Sequence, residues 1–171
     1  MIIDILRHSS TDGSGHLSPE GILLAEETGR RLGGYQVVFS SPLPRAVETA
    51  KAMSGMIPEV LFELGNVDLL DSLLGMHSIP SMESLSLVYR SSTELARLSE
   101  TLEKTIAKIV GNHENEQKTL IVSHNGIIQL CVVSVMREKS LSGIPYLLKI
   151  SLQVRFIASN FSSSVSTGSP V

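Results

Sequence analysis

The chain has no tryptophan, one cysteine and no surplus of basic residues. Each scarcity excludes something. A lone cysteine, Cys131, cannot close an internal disulfide, so no disulfide framework holds the fold and a reducing compartment is expected. The net charge of −3 is the wrong sign for a nucleic-acid binder, so no nucleic-acid partner is expected. No apolar run reaches the roughly 18–20 residues of a membrane span. The apolar start is too short for a signal peptide and runs into Arg7. A soluble, cytoplasmic protein with no membrane partner is the expectation. No two histidines have helical metal-ligand spacing and Cys131 has no cysteine partner, so neither a metal nor another cofactor is expected.

What is present suffices for one core, with 42% hydrophobic residues in 171. "MIIDIL" reads as a buried strand. Ser18 and Pro19 then open a helix that closes at Gly33-Gly34. "YQVVFS" (35–40) is a second strand. Ser41 before Pro42 predicts the cap of a second helix ending at Gly55. "EVLFEL" (59–64) predicts a third strand, and residues 65–92 predict loops with one short helix. The apolar stripe Leu95, Leu98, Leu102, Ile106, Ile109 predicts a helix over 93–110. "TLIVS" (119–123) is a central strand, "NGIIQLCVVSVMRE" (125–138) a buried helix, and "YLLKISLQVRFIA" (146–158) one or two strands. Residues 1–158 form a single expected domain, and 159–171 a Ser-rich tail expected to fray.

Strands alternating with helices predict an α/β fold. The expected architecture is a three-layer α/β/α sandwich, with a mostly parallel central sheet and helices on both faces. Ligands of such sheets sit beyond the carboxyl ends of the strands. That rule brings Arg7 and His8, Ser40, Ser41 and Arg45, Glu63, and Ser123, His124 and Asn125 to one edge. Two guanidiniums, two imidazoles and two helix N-termini suit a phosphoryl group and would repel a metal ion. A neutral imidazole is a competent nucleophile toward phosphorus. His8, beside Arg7, is the candidate nucleophile, with neighbouring cations depressing its pKa. Arg7, Arg45 and His124 would stabilise the transferring oxygens. Glu63 would give the leaving oxygen its proton and then deprotonate water. His16 reads as a plain loop residue, His77 and His113 as surface, and Cys131 as a core thiol.

These segments resemble the histidine phosphatase superfamily, also called phosphoglycerate mutase-like. "LRHSST" resembles its Arg-His-Gly-x-Thr opening, and "LSPEG" its Leu-Thr-x-x-Gly helix start. "FSSPLPRAVETA" resembles its Ser-Ser-Pro-x-x-Arg-Ala-x-x-Thr-Ala segment, and "VSHNGII" its second-histidine motif. "LFE" (61–63) stands where the family often has Leu-x-Glu. The resemblance implies that His8 is the nucleophile, that Arg7, Arg45 and His124 clamp phosphate, and that Glu63 is the acid. Asp68 and Asp71 are rivals for the acid. Two positions depart from the pattern. Ser9 replaces the usual glycine or alanine, and would either strain the loop or donate to phosphate. Ser14 stands where many members place a phosphate-contacting Asn.

The implied function is a histidine acid-type phosphatase, a phosphoric monoester hydrolase working through phospho-His8. Its partner would be a small phosphorylated substrate or a phosphohistidine protein, with oligomerisation left open. A phosphoglycerate mutase is the alternative, and a non-catalytic phospho-ligand module a further one. Against the mutase, the variable segment 64–92 adds only His77 and Arg90 as cations, and the Trp-Asn pair that follows the mutases' first motif is absent. The leucines of that segment predict a partly apolar lid.

Overall fold

The computed structural model describes residues 2–68, 92–112, 117–138 and 151–155. Five strands make one sheet: β1 (Ile2–Arg7), β2 (Val37–Ser40), β3 (Glu59–Val60), β4 (Lys118–Ser123) and β5 (Ser151–Arg155). All pairings are parallel, in the order β3-β2-β4-β1-β5. The described helices are α1 (Pro19–Leu32), α2 (Pro44–Ser54), α3 (Thr93–Asn112) and α4 (Asn125–Glu138).

Successive side chains of a strand point to opposite faces. Ile3, Ile5, Phe39 and Ile121 therefore enter one core, with Leu95, Leu98 and Leu102 of α3 and Ile127, Ile128 and Cys131 of α4. Leu6, Val38, Leu120 and Val122 enter the other, with Ala25 of α1 and Ala46, Ala50 and Met53 of α2. Burial on both faces is why these strands read as continuous apolar runs rather than alternating ones. The result is the α/β/α sandwich. Among the described residues, no helix is long and apolar enough to cross a membrane.

α1 begins where its residues predict: Ser18 Oγ accepts from Gly21 N at 3.0 Å, with Pro19 at the first helical position. α2 departs from expectation. Ser41 is not its cap; the helix starts at Pro44 with Leu43 as a cap that makes no side-chain hydrogen bond. A residue before proline is pushed out of the helical region, and two prolines, 42 and 44, delay the start. Leu43 accordingly sits extended, at φ −73° and ψ 135°.

The third strand is also shorter than predicted. Only Glu59 and Val60 pair with β2. Residues Phe62–Gly65 form a 3₁₀ turn, because Leu64 rotates into the core while Phe62 is left 73% exposed. β5 confirms one strand within 146–158; the rest of that stretch lies outside the described residues. The tail, His77, Arg90, His113, Asp71 and most of the predicted lid also lie outside them.

From β1 the chain crosses to β2 through α1 on one face; from β4 it enters α4 on the opposite face. The sheet therefore changes direction between β1 and β4. A crevice opens at such a switch point, at the carboxyl ends of the strands.

Candidate active site

Arg7 ends β1 and pairs with Ser123, the end of β4. The next residues, His8 and His124, flank the switch point. His8 N donates to Ser123 O at 3.0 Å, and Ser41 N to Val122 O at 2.9 Å, so three strand ends are laced together. The rings of His8 and His124 lie 5.2 Å apart, centroid to centroid, tilted by 54°.

The partners of His8 fix its tautomer. A carbonyl oxygen only accepts, so at 2.8 Å from Ser9 O the Nδ1 carries the proton. Nε2 then keeps its lone pair, and accepts from Arg45 Nε at 3.1 Å. Burial pushes the His8 pKa down to about 4; the bond to Ser9 opposes this, and the charges of Arg45 and Arg7 add to it. His124, 4% exposed, is pushed to about 3 by burial and then by Arg45, His8 and Arg7. Its Nε2 lies 2.7 Å from Ser41 Oγ. The same hydroxyl also accepts from Leu43 N at 3.3 Å, so Ser41 ties the site to the turn that leads into α2. Both imidazoles are neutral at ordinary pH, within the field of the Arg45 and Arg7 charges.

α2 also grips the loop after β1. Ser9 N donates to Thr49 Oγ1 at 2.9 Å, and Thr49 Oγ1 donates back to Arg45 O at 2.7 Å. One turn of helix thus carries both the guanidinium on His8 and the hydroxyl that seats its neighbour. Thr11 and Leu17 then pair antiparallel around a short loop. Glu48 of α2 holds that loop, taking Leu17 N at 2.8 Å and His16 Nδ1 at 2.5 Å. His16 is exposed, as a loop residue should be, yet it is paired, and the carboxylate raises its pKa.

Ser9 is buried, and its Oγ has no hydrogen bond among the described residues; nor do His124 Nδ1 and Asn125 Oδ1. Ser14 stands apart. It is exposed, and both its N and its Oγ bind Asp12 Oδ1, at 2.8 and 2.5 Å. Glu63 is half-buried on the 3₁₀ turn, not at a strand end. Asp68 is exposed.

The geometry therefore gathers Arg7, His8, Ser9, Arg45 and His124. Ser41 and Ser123, which the strand-end rule brings to this edge, make specific bonds there; Glu48 and Thr49 are added, and sequence reasoning gives them no role. The Arg45–Thr49 spacing of four residues, one helical turn, was the available signal for Thr49. Among the described residues, no three His, Cys, Asp or Glu side chains gather where they could hold a metal ion. Cys131 is a buried free thiol whose pKa burial pushes up to about 12, consistent with a core role.

Residues 4–69 match the histidine phosphatase superfamily (branch 1). No curated protein matches the sequence. Several solved structures share the fold. The chain is similar to the mycobacterial glucosyl-3-phosphoglycerate phosphatase at 18% identity and a TM-score of 0.54, covering 78% of each chain. It is similar to mycobacterial hydrolase 2 at 18% identity and a TM-score of 0.56, covering 85% of this chain and 73% of that one. It is also similar to the phosphoserine phosphatase of Entamoeba histolytica at 20% identity and a TM-score of 0.50, covering 80% and 81%.

Proposed function

We propose that this chain, whose residues 4–69 match the histidine phosphatase superfamily, is a member of it and a phosphomonoester phosphatase working through a covalent phosphate on His8. The observation that carries this reading is the state of His8: Nδ1 protonated toward Ser9 O, Nε2 bearing a lone pair beside Arg45. That is a nucleophile, neutral and aimed, in a cationic setting. Phosphatases that act on phosphoserine and on glucosyl-3-phosphoglycerate share the fold, which supports the reaction class.

In the proposed reaction, the substrate's phosphate draws Arg45 off Nε2 and onto its own oxygens. His8 Nε2 attacks phosphorus, and the phosphorus–oxygen ester bond breaks. Glu63, in its acid form, gives the leaving oxygen a proton, so an alcohol departs. Arg7, Arg45 and neutral His124 stabilise the equatorial oxygens. The Nδ1 proton stays against Ser9 O, which offsets the positive charge the ring gains. The Glu63 carboxylate then takes a proton from water, whose oxygen attacks phosphorus. The nitrogen–phosphorus bond breaks, inorganic phosphate leaves, and His8 and Glu63 return to their starting states. The Ser9 hydroxyl is assigned to the same phosphate oxygens. Ser14 would join only if its turn with Asp12 opened. The substrate is a small phosphorylated molecule.

Incubation with p-nitrophenyl phosphate and with 3-phosphoglycerate tests the reading. The wild type should release phosphate, and His8→Ala should lose at least about 10³-fold in kcat, as expected when a nucleophile is removed. Isomerisation of 3-phosphoglycerate without net release would identify a mutase instead. Phosphate binding with neither reaction would identify a binding module.

A further inference from the structure

The residue proposed as the acid is held by a turn, and that turn is fixed at three points. Leu61 N donates to Ser40 O at 2.9 Å. Ser123 Oγ donates to Leu64 O at 2.8 Å, in a buried bond. Gly65 lies against Pro42 so closely that a Cβ there would stand 2.6 Å from Pro42 Cδ and 2.7 Å from Cγ. Each fixing leads to the phosphate side of the site. Ser40 and Pro42 bracket Ser41, the partner of His124; Ser123 is the residue before His124.

The Ser123 bond has a physical reason. The last carbonyls of a helical turn have no partner within it and need an outside donor when buried. Leu64 is 1% exposed, so water cannot serve its carbonyl. The Ser123 hydroxyl does. Glu63, one residue earlier, makes no side-chain hydrogen bond among the described residues. Its placement is thus set by the backbone of the turn, and the Leu64 carbonyl of that turn is anchored to β4.

We infer that Ser123 is a positioning residue for proton transfer: through Leu64 O it sets where Glu63 stands relative to the His8–His124 pair. This rests on the reading of Glu63 as the proton donor. It goes beyond that reading in assigning a function to a buried hydroxyl that touches neither substrate nor either imidazole.

The two esters of the test differ in their need for a proton. p-Nitrophenolate leaves as a stable anion, whereas the alkoxide of glycerol 2-phosphate needs a proton as it departs. The measured quantity is the kcat/KM on glycerol 2-phosphate divided by the kcat/KM on p-nitrophenyl phosphate, which reports the steps up to departure of the alcohol and leaves out the hydrolysis step the two esters share. General acids contribute about 10²–10⁴-fold, so Glu63→Gln should lower this ratio about 100-fold and Ser123→Ala about 10-fold. Ser123→Thr keeps the hydroxyl and should bring the ratio back to within about threefold of wild type. Gly65→Ala pushes the turn from its other side, against Pro42, and should show the same fall in ratio should Ser123→Ala fail to fold. An equal loss on both esters in Ser123→Ala, or no rescue by Ser123→Thr, would overturn the positioning role while leaving Glu63 as the acid. An unchanged ratio in Glu63→Gln would overturn the acid assignment, and the role of Ser123 with it.

Discussion

At the scale of single residues, the proposed chemistry turns on one nitrogen. His8 Nε2 is free of a proton because Nδ1 is committed to Ser9 O and because burial and two guanidiniums disfavour the imidazolium. The sign of the pH dependence follows. The proposed reactive form of His8 is the neutral one, so kcat/KM of the free enzyme should fall tenfold per unit once pH drops below the His8 pKa of about 4. Arg45 is among the charges that lower this pKa, so Arg45→Gln should move the acid limb upward. It should also cost about 10²–10³-fold in kcat/KM through the lost oxyanion stabilisation. A pH–rate profile checks both. An acid limb near 6.5 in the wild type would mean the ring is not held neutral. Arg7, His8, Arg45 and His124 were legible in the sequence, because each stands at a strand end or in the segment leading from one, and the parallel-sheet rule brings strand ends together. Glu48 was not legible, because its partners Leu17 and His16 lie about thirty residues away in the chain.

At the scale of elements, the misses are as informative as the hits. α1 follows its Ser-Pro start because Ser18 has no competing partner and caps Gly21. The same Ser-Pro signal at Ser41 fails because Pro44 repeats the break: Leu43 before it stays extended, and the Ser41 hydroxyl serves Leu43 N and His124 Nε2 alike. "EVLFEL" has a strand's composition, yet the edge position offers pairing for only two residues. Local proline chemistry decides the first outcome, and tertiary pairing the second. One element junction yields a prediction. A Cβ at Gly21 would stand 2.1 Å from Ser10 O, in the loop that carries His8. A backbone oxygen cannot swing aside as a side chain can. Gly21→Ala should therefore cost about 1–3 kcal/mol of stability and lower activity together, since the strain falls on the loop of the proposed nucleophile. Urea midpoints and kcat on p-nitrophenyl phosphate check it; full stability and activity would show that the loop yields freely.

At the scale of the whole molecule, the sheet order explains why one site forms at all. β1 and β4 are neighbours whose following helices leave to opposite faces, so their carboxyl ends stay uncovered between α1 and α4. The alternation of strands and helices made that architecture legible; the order of the strands was not, since it depends on crossovers that the sequence does not display. The central claim is that this crevice lets a neutral His8 take a phosphoryl group from an ester. Rapid quenching of the enzyme during turnover of a radiolabelled phosphomonoester, followed by peptide mapping, tests it most directly. A label that is acid-labile, stable to base and confined to His8 is the predicted result. A label on any other residue, or one that persists in His8→Ala, would contradict it.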